Sequence, residues 1–431
     1  MHPESLGSSL FSVADVYPRL KAFAAQLGLS SRHGNRPLYF AKVDVSSCFD
    51  TIPQAKLLDV VGALLTSENY QVEQHVMVKA APAAPGGGTS SGTPRFKFFA
   101  QGRAAGRGPA DHEAGGGAAP PAAGAAAANV AGNNARVLVG PLSQQSLQRQ
   151  QVLANLASHV RQNLVRMGKK YYVQRRGIPQ GSIVSSLLVN LFYGQLEAEV
   201  LGWQQQQQQQ ESSTSQPRDY LLMRLIDDFL LVTTSRARAE SFLQVLHRGV
   251  PEYGVVVKPE KSLANFSACV DGRPVPRCDA PTFPYCGLAI DVRSLEIRKE
   301  GVSNGAGGRT VGLAPAPAAT DALTVEFSCV PGRSFKRKAL NAFKIRMHRM
   351  FLDSAFNSLD VVAANLYAGF REAAMRMVSY LRCLPASKRP PTELIVGESH
   401  FHEFISWEVG LGTRQRQKHW PNRFGYTVTP Y

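Results

Sequence analysis

Two apolar runs, at residues 221–226 and 229–233, leave only Asp227 and Asp228 between them. Runs of that length, rich in branched side chains, read as β-strands. Their connection is then a two-residue hairpin made without glycine, and it sets two carboxylates side by side at its tip. Like charges held in that way repel. Either the turn is simply solvated, or a divalent cation such as Mg²⁺ accepts the pair as hard oxygen ligands.

The same pattern recurs along the chain. Residues 37–45 read as a strand buried on both faces, with Asp44 at its end, where a charge breaks the pattern. Asp44 is either a helix-proximal cap or a third carboxylate turned toward the hairpin. Thr51-Ile-Pro53 opens a helix with Leu57, Leu58, Val61, Leu64 and Leu65 on one stripe. Helical spacing covers residues 142–167, and residues 171–174 read as a short strand. Gly177 to Ser182 then make a turn into a helix carrying Ile183, Leu187, Leu188, Leu191 and Phe192 in phase. Further expectations are a helix over 237–247, a strand over 254–257, a strand pair over 285–290 and 295–298, and helix throughout 335–384. The order strand, helix, strand, strand, helix, strand predicts an α+β fold. It resembles a split βαβ, and the expectation is a ferredoxin-like sheet with helices on one face, followed by an α-helical part.

Composition divides the chain into blocks. Residues 80–135 hold 12 of the 37 glycines and several alanine runs, and are expected to be an insertion unable to build a core. Residues 204–215, 301–320 and 385–391 read as shorter breaks. The expected divisions are therefore 1–79, 80–135, 136–300, a linker at 301–320, and 321–431. Six scattered cysteines without a CxxC pair argue against a zinc ribbon or a disulfide framework, and favour a reducing setting. No apolar run reaches the roughly 18 residues of a membrane span, so no membrane partner is expected. Lys plus Arg number 48 against 32 Asp plus Glu, and the resulting +16 favours a polyanionic partner.

Several residues have both a chemical and a plain reading. Gly177 to Ser182 could bring backbone close to a base pair or sugar, with Gln180 as donor and acceptor, or could be a strand-to-helix turn capped by Ser182. Lys261 is placed to donate a proton to a leaving group, or is a surface lysine. Residues 114–196 contain no acid but include Arg136, Arg149, Arg161, Arg166, Lys169, Lys170, Arg175 and Arg176. That stretch, and the cluster from Arg333 through Lys336, Arg337 and Lys338 to Arg349, suggest phosphate-facing surfaces or solvated helix faces.

In this order the signals match one family. The run from Ala41 to Ile52 resembles motif A of reverse transcriptases, Arg176 to Ser182 resembles motif B, and Leu225 to Thr233 resembles motif C. Gly249 to Gly254 with Lys261 to Phe266 is similar to motif D, and Phe283 to Leu288 to the primer grip of motif E. The wording is most similar to telomerase reverse transcriptases. They too carry a long insertion between motifs A and B, and here about 120 residues separate Ile52 from Arg176. Asp-Asp followed by Phe at motif C points the same way. Residues 332–385 are similar to the start of the telomerase thumb.

The resemblance implies a right-hand polymerase palm with a helical thumb, and RNA-templated DNA synthesis at telomeres, in the nucleus. Asp44, Asp227 and Asp228 are implied as ligands of two Mg²⁺, with Mn²⁺ as substitute, and Lys261 as the proton donor. Phe49 is implied as the gate against a ribose 2′-hydroxyl, where many relatives have Tyr. Gly177, Pro179, Gln180 and Gly181 are implied at nucleotide and template, Tyr285, Cys286 and Gly287 in the primer grip, and Lys336, Arg337 and Lys338 at the nucleic-acid backbone. The implied partners are telomerase RNA, a telomeric single-stranded DNA primer, dNTPs and accessory telomerase proteins. Motifs 1 and 2 of the fingers and an RNA-binding domain have no counterpart, so a partial chain is expected. The alternatives are the reverse transcriptase of a retroelement and a catalytically incomplete nucleic-acid-binding fragment.

Overall fold

Branched and aromatic runs become strands here where they find a partner in register. The computed structural model describes residues 3–28, 37–79, 95–104, 136–202, 219–299, 347–383 and 386–389. In chain order these form α1 (Val16–Gln26), β1 (Tyr39–Asp44), α2 (Cys48–Thr51), α3 (Gln54–Leu64), β2 (Asn69–Lys79), β3 (Arg95–Ala104) and β4 (Arg136–Gln148). Next come α4 (Arg149–Arg161), β5 (Leu164–Met167), β6 (Lys170–Val173), α5 (Ile183–Leu196), β7 (Tyr220–Leu225), β8 (Asp228–Thr233) and α6 (Arg236–Arg248). Short strands β9 (Leu263–Ala264), β10 (Cys269–Val270) and β11 (Arg273–Pro274) precede β12 (Thr282–Tyr285), β13 (Leu288–Asp291) and β14 (Ile297–Lys299). Helices α7 (Arg349–Leu352) and α8 (Leu359–Cys383) follow. The chain divides into two units, one of residues 1–7, 47–195 and 252–254, the other of residues 8–46, 196–251 and 255–431.

The second unit is built on an antiparallel sheet of order β7-β8-β1-β9. Side chains alternate across it. Phe229 and Leu231 face α6, where Phe242 lies 6.5 Å from Phe229 between ring centroids. Fully burying Phe242, Leu243 and Leu246 of that helix stabilises it by about 1.5–3 kcal/mol each. Phe40, Leu230 and Val232 point the other way, into a core shared with Leu20 and Phe23 of α1 and with Phe283, Ile290 and Ile297 of the three-stranded sheet β12-β13-β14. A helix therefore lies against each face of the sheet. Among the described residues no helix is long and apolar enough to cross a membrane.

The first unit holds α2 to α5, the sheet β3-β2-β4 and the hairpin β5-β6. Its buried residues include Ile52, Leu57, Val160, Ile178, Leu188 and Phe192. Helix α5 approaches the N-terminal segment so closely that a Cβ on Gly194 would meet the Ser5 carbonyl oxygen at 2.3 Å.

Several expectations are corrected. Residues 95–104 lie inside the glycine- and alanine-rich block, yet form β3 along β2, because alternating Arg, Phe and Lys make a strand whatever the composition around them. The helix expected over 142–167 begins only at Arg149, since 136–148 pair with β2 as β4. Residues 254–257 make only isolated bridges, Val250 with Val255 and Val45 with Val257. The run 285–290 is two strands, because Cys286 and Gly287 both have positive φ (49° and 77°) and turn the chain back. Continuous helix is interrupted at Asp353, whose carbonyl and carboxylate accept from the following turn, so α7 and α8 are separate. Residues 335–346, and with them Lys336, Arg337 and Lys338, lie outside the described residues, as do most of residues 80–135 and all of 204–215 and 301–320.

Candidate active site

The hairpin β7-β8 turns one residue earlier than its sequence suggests. Leu225 pairs with Asp228, so the turn residues are Ile226 and Asp227, and Asp228 opens β8. Ile226 has φ +60°, a conformation that favours glycine and is rare for a branched side chain. Such strain is of order 1–3 kcal/mol and persists only where the surroundings hold it.

Register then gathers the carboxylates. Asp44, the last residue of β1, pairs directly with Asp228, so their side chains share one face of the sheet. The Val45 amide donates to the Asp227 carbonyl at 3.1 Å, which fastens the turn to the end of β1. Two lysines answer the negative charge: Lys261 Nζ lies 2.6 Å from Asp44 Oδ2, and Lys42 Nζ lies 3.5 Å from Asp228 Oδ1. Burial pushes the Asp227 carboxyl up from its ordinary value, and the charges of Asp228 and Asp44 push in the same direction. The hydrogen bond to Asp44 holds the Lys261 ammonium above its ordinary value. Among the described residues no three His, Cys, Asp or Glu side chains are already gathered around a metal position. The donor types nonetheless suit hard cations: Asp44 and Asp228 pair at one strand end, Asp227 lies in the adjoining turn, and Lys261 and Lys42 meet Asp44 and Asp228.

The hairpin of β12 and β13 supports this site. The Tyr285 hydroxyl donates to the Asp228 carbonyl at 3.0 Å, and Cys286 Sγ approaches Asp228 Oδ2 at 3.8 Å. Tyr285 is fully buried, so its contact is with the strand that bears Asp228. Burial and the Asp228 charge push the Cys286 thiol up to about 12, which keeps it protonated at neutral pH. Gly287 has open space where a Cβ would stand.

The glycine turn and Phe49 belong to the first unit. The Ile178 amide donates to the Phe49 carbonyl at 2.7 Å, and the Gly177 amide to the Ile52 carbonyl at 3.1 Å. Gln54 Nε2 donates to the Gly177 carbonyl at 3.0 Å, and Gln180 Nε2 to Asp50 Oδ1 at 3.1 Å. The Pro179 carbonyl accepts from the Ser185 hydroxyl. Gly177, with φ +75°, packs on the backbone of Phe49 and Asp50, whereas Gly181, with φ +82°, has nothing within 4 Å of its Cβ position. Close approach to a ligand is thus open to Gly181. Part of the acid-free stretch forms β5 and β6, where every residue is exposed, including Arg166 and Lys170.

Two site residues escaped the sequence reading. Arg224 is fully buried and Glu197 nearly so, and they form an ion pair of 2.7 Å behind the turn. The visible signal was a single guanidinium within an otherwise apolar strand, three residues before Asp227.

The family described as "Reverse transcriptase (RNA-dependent DNA polymerase)" matches residues 142–290, which include Asp227 and Asp228 and stop short of Asp44. The telomerase reverse transcriptase of Bos taurus is 33% identical over 90% of this chain and 31% of its own length. That of Oryzias latipes is 31% identical over 89% of this chain and 32% of its own length. The chain thus spans about a third of the length of the curated relatives it matches. A solved structure of telomerase from Candida albicans, in complex with a fragment of telomeric RNA, shares the fold with a TM-score of 0.53 at 16% identity, over 97% of this chain and 51% of that one. Reverse transcriptases as a family depend on divalent metal ions. With likeness over nine-tenths of its length and motifs A, B and C in order, the chain is similar to telomerase reverse transcriptases.

Proposed function

We propose that this chain carries the polymerase site of an enzyme that adds deoxynucleotides to the 3′ end of telomeric DNA, copying a telomerase RNA in the nucleus. The observation that carries this reading is the pairing of Asp44 with Asp228 beside the strained turn that bears Asp227. Both relatives named above are telomerase chains, which favours this reading over a retroelement enzyme. Two Mg²⁺, or Mn²⁺ in their place, would supply activation of the attacking 3′-hydroxyl and neutralisation of the departing pyrophosphate. Asp44, Asp227 and Asp228 would hold them. Lys261, whose ammonium now donates to Asp44, would be the group that gives a proton to the pyrophosphate oxygen. Pro179, Gln180 and Gly181 are assigned to nucleotide and template, with Gly177 setting the turn. Cys286 and Gly287 at the hairpin tip are assigned to the primer, with Tyr285 anchoring them. Lys336, Arg337 and Lys338 are assigned to the nucleic-acid backbone, and accessory telomerase proteins to the assembled enzyme.

The test is primer extension by the chain, assembled within its enzyme with telomerase RNA, a telomeric primer and dNTPs. The product is expected to change when the template region of the RNA is changed. A product indifferent to the template would overturn the reading. Phe49 gives a sharper expectation: Phe49→Ala should admit ribonucleotides and Phe49→Tyr should not. Equal rejection by Phe49→Ala and the parent would remove the gate.

A further inference from the structure

Behind the carboxylates lies a buried polar group that the proposed chemistry does not use. Arg224 is fully buried in β7. Its Nε donates to Glu197 Oε1 at 2.7 Å, its Nη2 to Ser9 Oγ at 2.5 Å, and its Nη1 to the Ile226 carbonyl at 3.1 Å. The guanidinium also lies 5.5 Å from the centre of the Phe229 ring. Glu197, 2% exposed, accepts in addition from the Ser8 amide at 2.6 Å and from the Ser8 hydroxyl at 2.8 Å. It sits on a π-helical turn, Glu197–Leu201, that continues α5. Wide turns of this kind are rare and lie frequently at functional sites. An apolar pair of similar volume would often be as stable as a buried ion pair, so stability alone is a weak reason for this one.

What the guanidinium touches gives a better reason. The direction of the Asp227 side chain follows from the two peptide groups that flank it. The following carbonyl is held by the Val45 amide, and the preceding one, that of strained Ile226, is held by Arg224. We propose that Arg224, oriented by Glu197, is a positioning residue: it holds the Ile226 turn at positive φ and so aims the Asp227 carboxylate at the metal position. A planar fork is needed, because one group must reach a carboxylate, a hydroxyl and a carbonyl at once, which a lysine ammonium on a flexible stem cannot reproduce. This inference rests on the polymerase reading, since it presumes that Asp227 binds a cation.

The experiment measures Mn²⁺ uptake by the chain, following free Mn²⁺ by electron paramagnetic resonance, alongside thermal melting. Arg224→Lys keeps a charge against Glu197 and should weaken Mn²⁺ binding about tenfold, a change of about 1.4 kcal/mol. Ile226→Gly accepts positive φ without strain, so in the double variant it should recover most of that affinity. A purely structural arginine predicts otherwise: melting falls while Mn²⁺ affinity stays within twofold of the parent, or Ile226→Gly rescues nothing. Either outcome overturns the proposal. If Arg224→Lys does not fold, Glu197→Gln keeps shape and most hydrogen bonds while loosening the arginine, and should weaken Mn²⁺ binding several-fold, an unchanged affinity again refuting the role. A parent chain that takes up no Mn²⁺ would defeat the polymerase reading itself, and this inference with it.

Discussion

Asp227→Asn is expected to lower nucleotide addition at least about 10³-fold, equivalent to about 4 kcal/mol of lost transition-state stabilisation. Asp44→Asn and Asp228→Asn should fall as far, because register places both carboxylates on one face at the strand end. The same Asp227→Asn variant is expected to be more stable than its parent when metal is absent. Burial, and then the charges of Asp228 and Asp44, hold the Asp227 carboxyl above its ordinary value, so ionising it opposes the fold. Such a group favours the folded state fully only below its unfolded value, and that advantage is lost as pH rises through the folded value. At neutral pH the parent therefore carries a repulsive carboxylate that asparagine lacks. Melting in the presence of a chelator should show the variant higher at pH 7, with the gap closing in acid below the usual aspartate range. Mg²⁺ should raise the melting temperature of the parent and leave the variant nearly unchanged. An Asp227→Asn enzyme that extends primers at near parental rate would sink the mechanism. A metal-free variant no more stable than the parent at pH 7 would show that the cluster is not under repulsion.

How far such a site can be read from sequence depends on which physical fact decides each residue. Asp44 was legible because a charge closing an apolar strand breaks a pattern. Its partner was not, since pairing with Asp228 is a matter of register between strands far apart in the chain. The hairpin itself was legible, but its turn was misplaced by one residue. Ile226 looks like strand, and only the surrounding hydrogen bonds force a branched residue to positive φ. Moving the turn decides the geometry: neighbouring residues on a strand point to opposite faces, so with Asp228 in the strand its direction is fixed by the sheet and Asp227 is left to the turn. β3 was hidden by the composition of the block around it, and β12 and β13 by a two-residue turn at Cys286 and Gly287 whose first residue is not glycine. Tyr285, which the resemblance places in the primer grip, has a buried hydroxyl that holds the carbonyl of a carboxylate-bearing residue, a contact no motif reveals.

Gly177 shows the same limit, and it carries the second large effect. A glycine turn ahead of a helix invites the reading that backbone must come close to a ligand. In the structure the close neighbour belongs to the chain itself: a Cβ on Gly177 would stand 2.3 Å from the Phe49 carbonyl oxygen and 2.6 Å from the Asp50 Cα, at φ +75°. Both atoms are backbone and cannot swing aside. Their position is fixed by the Ile178 amide on the Phe49 carbonyl and the Gly177 amide on the Ile52 carbonyl. Gly177→Ala should therefore combine left-handed strain of about 1–3 kcal/mol with overpacking of similar size, about 4 kcal/mol in all. For a chain of this length that corresponds to a fall of roughly 4–5 °C in melting temperature. Gly181→Ala meets the same backbone strain at φ +82° but open space, so its loss should be nearer 1 kcal/mol. The pair separates packing from ligand contact. If Gly177 serves packing, Gly177→Ala loses stability before any nucleic acid is added, while Gly181→Ala remains folded and loses affinity for nucleotide or template. Equal melting temperatures for the two variants would show that the Phe49 segment yields to the added methyl, and would return Gly177 to the role of a ligand contact.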